Sequence, residues 1–297
     1  MTSAGKLVSG MCCLVLAAGC DLAPQGVAPG RIPRFEQPVA QHPRIALVLG
    51  SGGPRGFAHI GVLKVLEEIG VRPDLIVGSS VGAMVGALYA GGYDARRLET
   101  LALDLNMLRL YEVRQLLGKP ATGRPVEELV NEALNDRLVE QLGIPVAIAA
   151  TRLRDRQLVI FNRGDTGLAV RASAADPDNF EPVRIGGEMY ADGDEVSPVP
   201  IRVARQLGAQ FVIAVDVSAY AESTPANMPA KWIDKDRRRA AQVALEAPVA
   251  DVVLHPDIGY YAGQSKAYRQ RVIGSAERYT RERIPAIRAA LARAGIS

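Results

Sequence analysis

Cysteine is missing from almost the whole chain. The three that exist are Cys12, Cys13 and Cys20, so no disulfide can form among the residues that follow. No apolar run reaches the roughly 20 residues that a membrane-spanning helix needs, which excludes a polytopic membrane protein. Charge of one sign is not in excess either. Thirty-five Lys and Arg stand against 32 Asp and Glu, a net charge of +3 over 297 residues, too weak to imply a nucleic-acid partner. Hydrophobic residues at 48% and charged residues at 23% are ordinary for a globular chain and exclude disordered and collagen-like ones. The length predicts one or two domains.

Met1–Gly19 reads as an address and not as fold. Lys6 is its only charged side chain, and Leu7–Gly19 has the size of a signal-peptide core. It ends in Leu16-Ala17-Ala18-Gly19-Cys20, which resembles a bacterial lipobox. Cys20 is therefore expected to carry the lipid and to become the mature N-terminus, with the protein exported, anchored to a bacterial membrane and facing the periplasm. From Cys20 to Pro43 the chain reads as a linker, with Pro24, Pro29, Pro33, Pro38 and Pro43 favouring extended backbone. At about 3.1 Å per residue such a tether would reach roughly 70 Å.

From Arg44 onward apolar runs alternate with helical spacing. Strands are expected at Arg44–Leu49, Leu75–Val77, Val146–Ala150, Leu158–Phe161, Phe211–Val217 and Val252–Leu254, with a hairpin over Val183–Ile185 and Met189–Ala191. Helices are expected over Phe57–Ile69 and Val81–Ala90, from an Asp94 cap through Leu103, and from Pro125 to about Leu138. Tyr268–Ala294 reads as helical with a break at Pro285, and Ser218–Asp236 shows no clear pattern. The alternation argues for an α/β sandwich with a mostly parallel sheet, in one domain spanning 44–297.

Three glycine-containing motifs carry chemistry. Gly78-Ser79-Ser80-Val81-Gly82 fits G-x-S-x-G between a strand and a helix. That turn lifts Ser80 above the sheet beside the free N–H groups of the next helix. The other reading is a packing turn of small residues. Gly50-Ser51-Gly52-Gly53-Pro54-Arg55-Gly56 fails both G-x-G-x-x-G and the Walker A pattern. It remains an anion-receptive turn at a helix N-terminus, an oxyanion hole if it lies beside Ser80. Asp192-Gly193-Asp194 follows the hairpin. It reads as a carboxylate projecting into a cleft or as a plain turn, and nothing near it suits a metal. A serine nucleophile needs a base. His255 alone among the histidines His42, His59 and His255 has the Ser-Asp-His order of α/β-hydrolases; a Ser80–Asp192 dyad is the alternative.

The segment from about Ile45 to Val217 resembles the patatin-like phospholipases, which combine G-G-x-R-G, G-x-S-x-G and a late D-G. Gly52–Gly56, Gly78–Gly82 and Asp192-Gly193 supply all three in order, and Ala58–Leu63 and Arg171–Ala174 are also typical. The resemblance implies a three-layer α/β/α fold and hydrolysis of membrane-lipid acyl esters by a Ser–Asp dyad, with no metal or cofactor. Ser80 is then the nucleophile, Asp192 the base, and Gly52, Gly53, Arg55 and Gly56 the oxyanion loop, while His59 and His255 have no catalytic role. The chain departs from the family in three places. Asp194 stands where Gly or Ala is usual, and its charge is expected to raise the pKa of Asp192. Ser197 replaces Asn, and Asp176-Pro177-Asp178-Asn179 replaces Pro-Gly. These departures support the competing reading, a catalytically silent lipoprotein that binds lipid or a partner; a third reading is an esterase for soluble substrates. The basic cluster Lys231-Trp232 to Arg237-Arg238-Arg239 reads either as a contact for anionic headgroups or as a solvated helix start.

Overall fold

The computed structural model describes residues 27–37, 42–110, 112–116 and 118–296. The signal-like segment and Cys20 lie outside them. In chain order the elements are β1 (Ile45–Leu49), α1 (Ala58–Glu68), β2 (Leu75–Ser79), α2 (Val81–Ala90), α3 (Ala95–Asp104), α4 (Val113–Leu116), α5 (Arg124–Ala133), β3 (Val146–Arg152) and β4 (Gln157–Phe161). They continue with α6 (Thr166–Ser173), β5 (Val183–Ile185), β6 (Glu188–Asp192), α7 (Ile201–Gln206), β7 (Phe211–Val215), α8 (Ala230–Glu246), β8 (Val252–Leu254), α9 (Lys266–Glu282) and α10 (Ile284–Arg293).

The strands form one sheet in the order β5-β6-β3-β2-β1-β7-β8, with β4 pairing β3. β3, β2, β1, β7 and β8 run parallel, and β4, β5 and β6 pair antiparallel. The sheet is thus mixed, with the expected parallel run at its centre. Central strands such as β1 are buried along their whole length, as strands covered on both faces must be. Alternate residues feed two cores. Ile45, Leu47 and Leu49 face the core shared with α1, α2 and α9, whereas Ala46 and Val48 join Val77, Ala147, Val212 and Ala214 under α7.

One feature of the pairing positions the site. Residues 150–152 of β3 pair β4 on one edge and β6 on the other, and residues 148 and 149 pair β4 and β2. β2 and β6 therefore share one edge of β3 and run toward each other along it. Ser79 stands opposite Ala149 and Asp192 opposite Ala150. The two strand ends that meet there carry Ser80 and Asp192.

Several boundaries differ from the sequence expectation. α5 stops at Ala133, because Asn135 and Asp136 take φ of 52° and 54°, outside the helical range. α6 and α7 span only eight and six residues, too short for a periodic signal. Pro285 falls in the first turn of α10, where its missing N–H costs nothing. Residues 31–36, expected as free tether, lie against the domain. Arg31 pairs with Asp165, Arg34 bridges Arg163, Glu36 N–H donates to Asn162, and Pro33 is buried.

Candidate active site

Ser80 sits between β2 and α2 with φ 55° and ψ −124°, a conformation that costs a non-glycine residue about 1–3 kcal/mol. The neighbouring chain over-determines it. Gly82 lies so close to β1 that a Cβ there would stand 2.1 Å from the Leu49 carbonyl oxygen, so the second glycine of the motif is a steric requirement. The Ser80 N–H donates to Ser173 Oγ at 2.8 Å, and Ser173 Oγ donates in turn to the Ala149 carbonyl at 2.6 Å. Ser173, from α6, thereby fixes the turn to β3.

The Ser80 hydroxyl donates to Asp192 Oδ2 at 2.7 Å. Both side chains are nearly buried, at 7% and 3% exposure of their residues. The other carboxylate oxygen of Asp192 accepts the Asp194 N–H at 2.8 Å, and its backbone carbonyl accepts Thr151 Oγ1 at 2.7 Å. Burial, and then the charge of Asp194, push the Asp192 carboxyl well above the usual carboxylate range. Such a carboxylate is a stronger base than an exposed one.

The Asp194 side chain is only 9% exposed, but it is not left alone. Arg239 of α8 binds it in a fork, with Nε 2.8 Å from Oδ1 and Nη2 on Oδ2, and Ser51 Oγ also donates to Oδ1. Burial pushes its pKa up, but the Arg239 charge and hydrogen bonds outweigh that and hold it below the ordinary value. The Asp194 departure therefore has a counter-ion 45 residues along the chain.

The glycine turn after β1 faces the same place. It is pinned by Gly50 N–H to the Val215 carbonyl and Ser51 N–H to the Pro198 carbonyl. Among the described residues, the N–H groups of Gly52, Gly53 and Val81 donate to no other group, which leaves them free for an anion. Arg55 is engaged otherwise. The Arg55 N–H donates to the Gly52 carbonyl and its guanidinium to the Tyr260 carbonyl, while Gly56 packs under Val81.

The histidines are occupied elsewhere. His59 is buried with Nε2 2.8 Å from the Gly50 carbonyl oxygen, and burial pushes it down to about 4, so it is neutral at pH 7. His255 stacks on Tyr220, with Nε2 3.0 Å from the Ser218 carbonyl and Nδ1 3.6 Å from Asp216; neither ring bonds Ser80. Among the described residues no group of His, Cys, Asp or Glu side chains is arranged to hold a metal ion. Sequence reasoning missed Ser51, Thr151, Ser173 and Arg239 as site residues. Ser173 lies in a run typical of the family and Ser51 in the glycine turn itself, Arg239 sits in a basic cluster that points to headgroups or solvent, and Thr151 carries no local signal.

The family model described as patatin-like phospholipase matches residues 47–205, more than half of the chain. An NTE family protein of Mycobacterium tuberculosis is 37% identical over 204 residues, covering 65% of this chain and 55% of the relative. The human patatin-like phospholipase domain-containing protein 6 is 35% identical over 187 residues, 60% of this chain and 14% of that protein. The chain thus spans about half the length of the first relative and far less of the second. The crystal structure of VipD from Legionella pneumophila superposes with a TM-score of 0.53 at 13% identity, over 85% of this chain and 70% of that one, a likeness of fold. The matched region runs from β1 to α7 and contains the elbow, the glycine turn and the Asp192 loop, and on that match the chain belongs to the patatin-like phospholipase family.

Proposed function

We propose that the protein is a lipid acyl hydrolase that cleaves carboxylic esters of phospholipids or lysophospholipids through a Ser80–Asp192 dyad. The observation that carries this reading is the 2.7 Å hydrogen bond from the strained Ser80 to the buried carboxylate of Asp192. Family membership and the lysophospholipase named among the relatives, a Yarrowia lipolytica protein 31% identical over 189 residues, supply the lipid class.

The chemistry follows from the geometry. Asp192 takes the hydroxyl proton as Ser80 Oγ attacks the acyl carbonyl carbon. The negative charge that forms on the carbonyl oxygen is met by the free N–H groups of Gly52 and Gly53, with Val81 beside them. Collapse breaks the ester bond, and Asp192 returns the proton to the leaving alcohol oxygen. Water, deprotonated by the same carboxylate, then attacks the acyl-Ser80 ester and releases the fatty acid. Arg239 answers the charge problem that Asp194 raises, which favours the hydrolase over the silent lipoprotein.

The test is labelling by a fluorophosphonate probe together with fatty-acid release from mixed phospholipids. Ser80→Ala should abolish both, and Asp192→Asn should lower release at least about a thousandfold. A folded wild-type protein that neither labels nor releases fatty acid would sink the proposal. Export and anchoring by a lipid on Cys20 complete the reading. Radiolabelled palmitate should enter the wild type and not Cys20→Ser.

A further inference from the structure

The positions where the chain leaves the family pattern around Asp192 share one partner element. Asp176 and Asp178 bind Lys235, Asp194 binds Arg239, and Ser197 binds Glu246. Lys235, Arg239, Gln242 and Glu246 are spaced by four, three and four residues along α8 and so lie on one face of it. No residue of α8 is buried, so polar ties dominate its attachment to the domain. The innermost tie is the pair of Arg239 and Asp194, whose side chains are 13% and 9% exposed.

That pair touches both halves of the proposed machinery. The Asp194 carboxylate accepts the hydroxyl of Ser51, the residue before Gly52 and Gly53. The Asp194 N–H donates to Asp192 Oδ1 and thereby turns Oδ2 toward Ser80. We propose that Arg239 is a positioning residue of the active site: through Asp194 it holds the Ser51–Gly53 turn and the Asp192 carboxylate in the geometry that acylation of Ser80 requires. The inference rests on the hydrolase reading above.

The surrounding charges define what Arg239 does. Asp192 faces Asp194 on its own loop, Asp176 from the segment after α6, and Arg239 from α8. Arg239 also faces Asp216 beyond β7 and Arg55 from the glycine turn, and Asp194 also feels Lys235. Among the described residues, Arg239 is the one cation bonded directly to Asp194. Without it two buried carboxylates share a loop with no bonded counter-ion, and the pair keeps a proton to higher pH. A proton on Asp192 removes the base. A proton on Asp194 disrupts its acceptance of Ser51. Either way the active fraction falls on the acid side.

The experiment measures hydrolysis of a p-nitrophenyl ester and the rate of fluorophosphonate labelling from about pH 4 to about pH 10. It compares the wild type with Arg239→Gln, Arg239→Lys, Asp194→Asn and the neutral pair Asp194→Asn/Arg239→Gln. Arg239→Gln should lower kcat about tenfold or more at neutral pH and move the acid limb up by about one pH unit. The neutral pair should bring the limb back to the wild-type position or below it. Arg239→Lys keeps the charge and loses the fork, so its limb should stay in place while kcat falls a few-fold. Folded Arg239→Gln with an unmoved limb and wild-type kcat overturns the proposal, as does a shifted limb that the second substitution does not reverse. Should Arg239→Gln fail to fold, Asp194→Asn decides: a limb below that of the wild type supports the role, and an unmoved limb overturns it. Labelled, active wild type beside unaffected variants would defeat this inference alone, whereas an unlabelled, inactive wild type would defeat the hydrolase reading.

Discussion

α8 and α9 have the same length, 17 residues each, and the domain holds them in opposite ways. α9 buries Tyr268, Arg269, Val272, Ile273, Ala276 and Thr280. It lies so close to α1 that a Cβ on Gly61 would stand 2.2 Å from the Ile273 carbonyl oxygen. Even its buried guanidinium serves packing: Arg269 caps the end of α3 by donating to the Ala102 and Leu105 carbonyls. α8 buries none of its residues, and only a half-buried Val243 reaches the second core. Its polar ties include those to Asp176, Asp178, Asp194 and Ser197, beside hydrogen bonds with Thr224, Tyr260, Glu195 and Arg202. Apolar burial is strong and indifferent to pH; paired charges add little net stability but fix geometry and protonation. Damage to α9 should therefore be read in folding, and damage to α8 in the chemistry of Asp192.

The sharpest break is Gly61→Val. The added side chain meets backbone on α9, which cannot yield without separating two helices, and about 3 kcal/mol or more should be lost. Denaturant unfolding and soluble yield check this, and a variant melting within a few degrees of the wild type would show that α1 and α9 are not locked. Ile273→Ala comes next. It leaves a cavity in a side chain 1% exposed, with an expected cost of about 2–5 kcal/mol. Activity per folded molecule should be unchanged, because Ile273 takes no part in the hydrogen bonds that hold Ser80, Asp192 and Asp194.

The same contrast explains how much the sequence disclosed. β1, β7, α1 and the split between α9 and α10 are written in apolar spacing and in Pro285, so they can be read from the chain. The meeting of Ser80 and Asp192 could be expected only from the family resemblance, because it depends on β2 and β6 sharing one edge of β3. The Gly186-Gly187 turn announces β6 as the partner of β5, but nothing local announces its pairing with β3, or that β4 runs antiparallel. The role of α8 was least legible. Its residues 237–239 are a run of arginines, and nothing in the run shows that Arg239 turns inward to Asp194 while Arg237 and Arg238 stay exposed. From the sequence the basic cluster reads either as a headgroup contact or as a solvated helix start. Lys231 and Lys235 stand over Trp232 at 4.8 and 5.4 Å, but Lys235 is spent on Asp176 and Asp178.

A milder change sharpens the comparison from the α8 side. Lys235→Met removes the pair with Asp176 and Asp178, whose side chains are 27% and 35% exposed. The loss of global stability should be about 1 kcal/mol or less. The local effect should be larger than the global one. Hydrogen exchange followed by mass spectrometry should show faster exchange in α8 with α9 unaltered. Equal acceleration in both helices would mean that they belong to one cooperative unit and that α8 is not held differently from α9.

The smallest effect is a difference in how the two helices respond to acid. The hydrogen bond from Lys235 outweighs partial burial and holds the Asp178 carboxyl below its ordinary value. A carboxylate with a lowered folded pKa stabilises the folded state fully above its unfolded pKa, and that contribution fades as pH falls through the lowered one. The pair is partly exposed and screened, so it is worth a few tenths of a kcal/mol. Amide protection in α8 should begin to fall below about pH 4, while α9, held by apolar burial, keeps its protection until the domain unfolds. One molar salt at neutral pH should act in the same direction, because it shortens the screening length to about 3 Å. A response of α8 to acid but not to salt would move the cause from the Lys235 pair, which salt reaches, to the less exposed Asp194–Arg239 pair.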